Sequence, residues 1–206
     1  MKRFVYLSSV IITFFCLTAF SGNKSQPILH SGNVVSDFTL QNVNGKMVST
    51  KDYKDAKGFV VIFSCIYCPF GKLYHERLIR LNAKYSKLHV PLLLVNSTDT
   101  AMFAEESMKN MATLSKEKKY EFPFLFDPSQ KVAKDFKAEK TPHAFVIWKE
   151  NSKWVIKYSG AIDDNGAHPE WVKKPYVTNA LDELLAGKKV SVEEGQSIGC
   201  AIHYRK

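Results

Sequence analysis

Two cysteines of this sequence form the pair Cys65-Ile66-Tyr67-Cys68, and this pair carries its most evident chemistry. The C-x-x-C spacing alone is typical of redox pairs, zinc knuckles and half of an iron–sulfur site. Here the pair follows an apolar run at residues 59–63 and precedes a helical pattern, so we predict that Cys65 lies at the first turn of a helix. The free N–H groups and the positive dipole end at such a turn favour a thiolate over a thiol.

This placement predicts a role for each cysteine. We expect Cys65, the more exposed of the two, to attack a disulfide, and Cys68, one helical turn further on, to resolve the mixed disulfide by attacking the Cys65 sulfur. Pro69 suits the start of a helix, where its missing N–H costs nothing. The alternative is a structural disulfide or a buried thiol pair, although such bridges rarely lie at a strand-to-helix corner with nothing distant to join.

A second element, Thr141-Pro142, lies just before an apolar stretch at residues 144–148. A proline that leads into a central strand has lost a hydrogen-bond donor of the ladder, so its position needs a reason. A cis peptide bond is one reason, and an ordinary trans proline at a strand start is the other. We expect Thr141, Pro142 and the adjacent His143 to shape a surface where a peptide or partner domain docks through backbone contacts.

Several strands and helices are needed to position these residues. Residues 58–64 and 89–96 are apolar on both faces, which is typical of central strands covered by helices. The other predicted elements are a hairpin over residues 34–48 with its turn at Asn44-Gly45, a helix from the cysteines to Leu88, a helix over 100–119, an extended segment over 122–127, a short helix over 129–136, a hairpin with strands 143–149 and 153–159, and a helix over 175–186 that ends at Gly187. This order predicts an α/β fold with a central mixed sheet flanked by helices and an N-terminal β-hairpin.

Several short motifs accompany these elements. They are Asp37-Phe38-Thr39-Leu40, Gly45-Lys46, Val60-Val61-Ile62-Phe63, Cys65-x-x-Cys68-Pro69, Thr141-Pro142-His143, the stretch from Gly160 to Asn165, and Ile198-Gly199-Cys200. In this combination the sequence resembles the redoxin branch of the thioredoxin superfamily, which includes alkyl hydroperoxide reductase/thiol-specific antioxidant proteins and extracytoplasmic thiol–disulfide oxidoreductases. The last two motifs are similar to its peroxiredoxin-like group. The resemblance covers about residues 33–206 and implies a thioredoxin-like fold with Pro142 cis and facing the cysteines.

A thiol peroxidase is the first alternative function. Peroxiredoxins carry a Pro-x-x-x-Thr-x-x-Cys constellation, in which the threonine and a distant arginine activate the peroxide. Counting back from Cys68 places Cys65 at the threonine and Val61 at the proline, and counting back from Cys65 fits no better. Lys140 stands near where an arginine would be sought. The peroxide-activating residues are therefore missing from the pattern.

Metal binding is the second alternative. Cys200-Ala-Ile-His203 together with Cys65 and Cys68 would complete a formal zinc ligand set. A copper site formed by the cysteine pair with His143 or His168 also suits soft-ligand chemistry. Copper-delivering relatives of the fold usually have three residues between their cysteines, where this chain has two. We assign no metal ligands and expect no cofactor beyond a redox-active Cys65–Cys68 disulfide.

Three further residues are candidates for auxiliary roles. Cys200 is either a third thiol that approaches the pair or an isolated buried cysteine. The buried acid that thioredoxins place before their cysteines is not apparent in residues 59–63. Asp163 or Asp164 would substitute as a proton acceptor if their loop folds near the site, and otherwise they belong to a hydrated turn.

The N-terminus is typical of an exported protein. Lys2-Arg3 precede an apolar run over residues 4–20, and Ala19-Phe20-Ser21 offers small residues for cleavage before Gly22. We predict a signal peptide over 1–21, a linker over 22–33, one thioredoxin-like domain over 34–190 and a C-terminal tail over 191–206. An uncleaved anchor is the alternative to cleavage. Cleavage leaves no membrane span and implies a periplasmic or other extracytoplasmic location.

Composition narrows the classes of partner. Cleavage would remove Cys16 and leave three cysteines, so at least one thiol is free, transiently paired or metal-bound. The formal net charge of +9 is spread among acidic residues rather than forming a basic stripe interleaved with aromatics, which argues against nucleic-acid binding. The expected partners are proteins with thiols or disulfides, either as substrates or as a redox partner.

Overall fold

The computed structural model describes residues 31–205. The strands within them are β1 (Val34–Val35), β2 (Thr39–Asn42), β3 (Met47–Ser49), β4 (Gly58–Phe63), β5 (Leu92–Asn96), β6 (Phe124–Phe126), β7 (Lys140–Thr141), β8 (His143–Glu150), β9 (Lys153–Gly160) and β10 (Cys200–Ala201). The helices are α1 (Pro69–Lys72), α2 (His75–Tyr85), α3 (Met108–Glu117), α4 (Lys131–Phe136) and α5 (Tyr176–Leu185). Single 3₁₀ turns occur at Thr50–Asp52, Ser86–Leu88, Ala104–Glu106 and Pro169–Trp171.

One mixed sheet of eight strands runs through the fold in the order β1-β9-β8-β4-β5-β6-β2-β3. Strands β4, β5 and β6 are parallel, and β8, β9, β1, β2 and β3 join them in antiparallel pairs. A separate two-stranded sheet pairs β7 with β10. The predicted central mixed sheet flanked by helices is therefore confirmed.

Strand β4 separates two apolar cores because alternate side chains of a strand point to opposite faces. Val60 and Ile62 face a core that also contains buried side chains of α2, α3 and α5. Phe59, Val61 and Phe63 face a second core, which includes the buried residues of α4. All six residues of β4 are buried, as predicted for a central strand, so the end of this strand is a rigid platform for the segment that follows.

The N-terminal hairpin is shorter than predicted. Its strands are β2 and β3, with Leu40 opposite Val48 around the Asn44-Gly45 turn. Val34 and Val35, which were expected in the same hairpin, instead pair with β9 at the opposite edge of the sheet.

Two predicted helices are interrupted. The helix after the cysteines divides into α1 and α2, because the chain between them tightens into bonds from Leu73 and Tyr74 to carbonyls three residues back. The helix expected over 100–119 begins only at Met108, where the Ser107 side chain accepts the N–H of Asn110 as an N-cap. The segment before Ser107 is therefore not part of α3. It contains Glu106, which contributes to the candidate site described below.

The predicted signal peptide and most of the predicted linker lie outside the described residues. Across residues 31–205, no helix is both long enough and apolar enough to cross a bilayer.

Candidate active site

The cysteine pair lies at the predicted corner between β4 and α1. The prediction that Cys65 lies in the first turn of the helix is wrong, because Cys65 lies in the non-helical segment that precedes α1. Strand β4 ends at Phe63, the N–H of Ser64 still bonds to the carbonyl of Val95, and α1 begins at Pro69 with Cys68 as its N-cap. Cys68 is buried, with 4% of its surface exposed, whereas Cys65 is partly exposed. Cys65 is thus the sulfur of the pair that a substrate reaches more easily.

A buried carboxylate, Glu106, holds the turn between the two cysteines. Its oxygens accept the backbone N–H groups of Ile66 and Tyr67, each at 2.8 Å, and the side-chain amide of Asn96 at 2.9 Å. Only 3% of Glu106 is exposed, and it comes from the 3₁₀ turn before α3. The sequence analysis missed this residue, since no local pattern distinguishes it from its exposed neighbour Glu105.

The predicted proline element lies against both cysteines. The Thr141–Pro142 peptide bond is cis. The Thr141 hydroxyl is 3.3 Å from the Cys65 sulfur, and the Thr141 carbonyl accepts the Cys68 thiol at 3.1 Å. Thr141 therefore contacts one sulfur through its side chain and the other through its backbone.

His143 does not form the docking surface that we expected. Its ring is buried and stacks on Phe145, with Nδ1 accepting the N–H of Glu139 at 3.2 Å and Nε2 3.0 Å from the Ser159 hydroxyl. Burial lowers the pKa of His143 to about 4, so the ring is neutral near pH 7. Both ring nitrogens have partners, which leaves neither for the copper site considered above.

Cys200 reaches the pair from the far end of the chain. Strand β10 pairs with β7 so that Cys200 lies opposite Thr141, and the sulfurs of Cys68 and Cys200 are 2.6 Å apart. The pairing also occupies the backbone edge of β7, where a peptide substrate was expected to bind. Of the two interpretations of Cys200, the structure favours a thiol that approaches the pair.

The three sulfurs form one titrating group. Hydrogen bonds from the Cys65 and Cys200 thiols and from the N–H of Gly71 lower the pKa of Cys68 to about 4, against the opposing effect of burial. The bond to Cys68, together with burial, raises the pKa of Cys65. Burial and the neighbouring Cys68 raise the pKa of Cys200 to about 11. The group thus loses its first proton easily and its second with difficulty, and that first charge belongs to the hydrogen-bonded group as a whole.

The two candidate aspartates make their contacts elsewhere. Asp163 is buried in an ion pair with Arg77 at 2.7 Å and accepts the hydroxyl of Tyr74. Asp164 accepts the backbone N–H groups of Lys173 and Lys174. The Asp163 bonds fix the loop after β9 to the start of α2, the Asp164 bonds fix it to the segment before α5, and none of them leads to a sulfur.

The histidines of the metal alternatives are separated from one another. His168 is exposed and stacks on Trp171, whereas His203 lines the same cavity as the cysteines. No group of three or more His, Cys, Asp or Glu side chains within residues 31–205 is arranged to hold a metal ion.

A cavity of about 250 Å³ opens beside the cysteines. It is lined by Cys65, Cys68 and Cys200 and by Tyr67, Thr98, Phe103, Thr141 and His203, among others. Tyr67 is 49% exposed at its mouth, so an apolar ring lies next to the sulfur that a substrate would meet first.

Comparison with known proteins places this geometry in a family. Residues 31–164 match the AhpC/TSA family. An uncharacterized conserved protein from Geobacillus kaustophilus is 32% identical over 86% of this chain and 94% of its own, with a TM-score of 0.78. No curated protein is similar enough to count as a match.

More distant structures share the fold alone. Peroxidoxin BcpB from Mycobacterium tuberculosis is 16% identical, covers 77% of this chain and 95% of its own, and has a TM-score of 0.54. A putative thiol:disulfide interchange protein DsbE from Chlorobium tepidum is 18% identical, covers 77% and 97%, and also has a TM-score of 0.54. The chain therefore belongs to the AhpC/TSA family and has the thioredoxin-like fold.

Proposed function

We propose that this protein is a thiol–disulfide oxidoreductase in which Cys65 and Cys68 alternate between dithiol and disulfide. The observation that carries the proposal is the position of the pair at the β4–α1 corner, with Thr141 in contact with both sulfurs. Membership of a redox family supports it.

The reaction can be written with the residues in place. Cys65 attacks a disulfide of the partner, its proton passes to the thiolate of Cys68, and one partner sulfur leaves. Cys68 then attacks the Cys65 sulfur, its proton goes to the partner's second sulfur, and the Cys65–Cys68 disulfide forms. The partner gains two electrons and the protein loses two. The reverse sequence would oxidise a partner dithiol.

Surrounding groups support each step. The hydrogen bond between Cys65 and Cys68 gives the Cys65 proton a direct path to the Cys68 sulfur as Cys65 attacks. The Thr141 hydroxyl, 3.3 Å from the Cys65 sulfur, is placed to donate to the thiolate that forms there. Glu106 holds the intervening backbone, so that the turn keeps its shape as the sulfurs change partners.

Access favours a partner that reaches Cys65 past Tyr67. The backbone edge at Thr141 is taken by β10, so docking rests on side-chain contacts around the cavity mouth. Phe70 in α1 and Leu73 at its C-cap, both more than 40% exposed, add apolar surface in the segment that follows the cysteines. A protein that presents an apolar segment next to a disulfide or thiol fits this surface.

We further propose that the protein works outside the cytoplasm. The basic and apolar N-terminal pattern is the support for this, and thiol–disulfide exchange with structural disulfides belongs in such compartments. N-terminal sequencing of the protein purified from its source should find Gly22 first. An intact Met1 in a cytoplasmic fraction would contradict the proposal.

A thiol peroxidase is the second candidate, favoured by the threonine hydroxyl beside the Cys65 sulfur and by the family. There the Cys65 thiolate would attack a peroxide, forming a sulfenic acid and releasing water or an alcohol. The Cys68 thiol would then condense with the sulfenic acid, forming the disulfide and releasing water. Both candidates end in the same disulfide and differ in the oxidant.

Rates with the two oxidants decide between the candidates. Each protein carries Cys16→Ser, so that the expected leader cysteine plays no part. The reduced protein is mixed with hydrogen peroxide or with a protein disulfide such as insulin, and formation of the Cys65–Cys68 bond is followed. We expect the protein disulfide to oxidise the pair faster than hydrogen peroxide does, and we expect Cys65→Ser to abolish this oxidation. Faster oxidation by peroxide would establish the peroxidase, and no reducible bond with either oxidant would refute both.

A further inference from the structure

The C-terminal segment is built against the cysteine site by contacts on both sides of Cys200. Before it, the Ser197 hydroxyl donates to the Pro142 carbonyl at 2.9 Å. After it, the Ile202 N–H donates to the carbonyl of Glu139, and Gln130 bonds the backbone of His203 and Arg205. The segment is thus anchored on each side of its cysteine.

A glycine permits the close approach of this segment. A Cβ atom at Gly199 would lie 2.1 Å from the Thr141 carbonyl oxygen and 2.6 Å from its carbon. Any other residue at this position would push β10 away from β7. The bare backbone brings the next residue, Cys200, within 2.6 Å of the Cys68 sulfur.

Cys68 therefore has two sulfur neighbours. It is hydrogen-bonded to Cys65, and its sulfur lies 2.6 Å from that of Cys200. The mechanism proposed above uses Cys65 and Cys68 and leaves Cys200 without a role.

We propose that Cys200 is a third redox-active thiol, which takes over the disulfide bond from Cys65. In the oxidised protein the Cys200 thiolate attacks the Cys68 sulfur, the Cys68–Cys200 bond forms, the Cys65–Cys68 bond breaks, and Cys65 leaves as a thiolate. One disulfide and one thiolate are present before and after, so the step needs no external oxidant or reductant. This inference rests on the proposed function, because it starts from the Cys65–Cys68 disulfide.

The charges around the sulfurs make the step conditional on oxidation. In the reduced group, burial, the hydrogen bond to Cys68 and the charge of Cys68 raise the pKa of Cys200. Once Cys68 is in a disulfide, both contributions from Cys68 disappear and burial remains. Cys200 becomes a better nucleophile at the moment when its target has formed.

The result would be an oxidised protein that keeps Cys65 free at the cavity. The two-electron oxidation remains as the Cys68–Cys200 disulfide, while the free Cys65 thiol can react with a further substrate. The substrate class that fits is a protein with a wrongly paired disulfide. The Cys65 thiol would attack that disulfide and allow it to rearrange, while the Cys68–Cys200 disulfide stays intact.

Variants that each lack one of the three site cysteines distinguish the Cys65–Cys68 bond from the Cys68–Cys200 bond. In a Cys16→Ser background, Cys65→Ser, Cys200→Ser and Cys68→Ser are equilibrated with glutathione redox buffers, quenched in acid, alkylated and mapped by mass spectrometry. We expect a Cys68–Cys200 bond in Cys65→Ser and a Cys65–Cys68 bond in Cys200→Ser. The control Cys68→Ser should form at least about tenfold less intramolecular disulfide, because only sulfurs held in contact have a high effective concentration.

The outcomes distinguish this inference from the function on which it rests. A Cys65–Cys68 bond in Cys200→Ser with only glutathione-capped thiols in Cys65→Ser would overturn the relay and leave the proposed function standing. Absence of the bond in Cys200→Ser would overturn the proposed function itself. A second measurement needs no cysteine replacement at the site: in the oxidised protein with Cys65, Cys68 and Cys200 all present, alkylation should label Cys65, and labelling of Cys200 alone would refute the relay.

Discussion

Removing the carboxylate of Glu106 should destabilise the protein more than any exposed acidic substitution. Its oxygens are the acceptors for the N–H groups of Ile66 and Tyr67 and for the amide of Asn96, at 2.8 to 2.9 Å in a buried setting. A hydrogen bond to a charged group contributes about 1.5–3 kcal/mol, and an unsatisfied buried donor costs about 1–3 kcal/mol. Glu106→Ala leaves three donors without their acceptor, and water can satisfy some of them. The variant should therefore lower the free energy of unfolding by roughly 3–5 kcal/mol.

Urea unfolding of the reduced protein measures this loss without a contribution from disulfides. Glu106→Gln keeps one acceptor oxygen and the shape of the side chain, so its cost should be smaller, about 1–3 kcal/mol. Glu105→Gln is the matched control, since Glu105 is exposed, and it should change stability by less than about 0.5 kcal/mol. If Glu106→Ala unfolds within about 0.5 kcal/mol of the unsubstituted protein, the carboxylate does not hold the turn and the reasoning fails.

Three further substitutions probe the surroundings of the site. Gly199→Ala should lower the fraction of Cys200 found in a disulfide by about tenfold on peptide mapping. Its Cβ would meet a β7 carbonyl at 2.1 Å and move the segment away, which lowers the effective concentration of the Cys200 thiol near Cys68. An unchanged fraction would contradict this. The pKa of His143 falls from 6.5 to about 4 on burial, so the unfolded chain binds more protons between these values and stability falls as the pH is lowered through them. His143→Gln should reduce that slope by up to about 1.4 kcal/mol per pH unit in unfolding titrations, and parallel curves would refute it. Arg77→Met should lower the free energy of unfolding in urea by roughly 3–5 kcal/mol, because it leaves the buried Asp163 carboxylate without its cation. Adding Asp163→Asn should recover part of that loss. Equal stability of the single and double variants would argue against a stabilising Arg77–Asp163 ion pair.

Features carried by consecutive residues were predictable from the sequence. The apolar run of β4, the cysteines after it and Pro69 together predicted a strand-to-helix corner, and the structure has it. The resemblance implied a cis Thr141–Pro142 bond, which is also present. Such features depend on local backbone preferences and on the periodicity of apolar residues, and both can be seen in a single segment of chain.

Features that depend on which segments meet were not predictable. Glu106 lies 40 positions from Ile66 and is followed by a helix, so its pattern resembled that of an exposed helical acid. His143 neighbours the proline of the site, yet the pleat of β8 and the packing against Phe145 turn its ring into the core. The contacts of distant elements decided both positions.

The sequence by itself determined the cysteine pair, the strand that delivers it and the family to which the chain belongs, because each of these is a local pattern. Only the tertiary structure decided that the pair has a third sulfur beside it. Cys68 and Cys200 are 132 positions apart, and they meet because β10 pairs with β7 and Gly199 lets the two backbones touch.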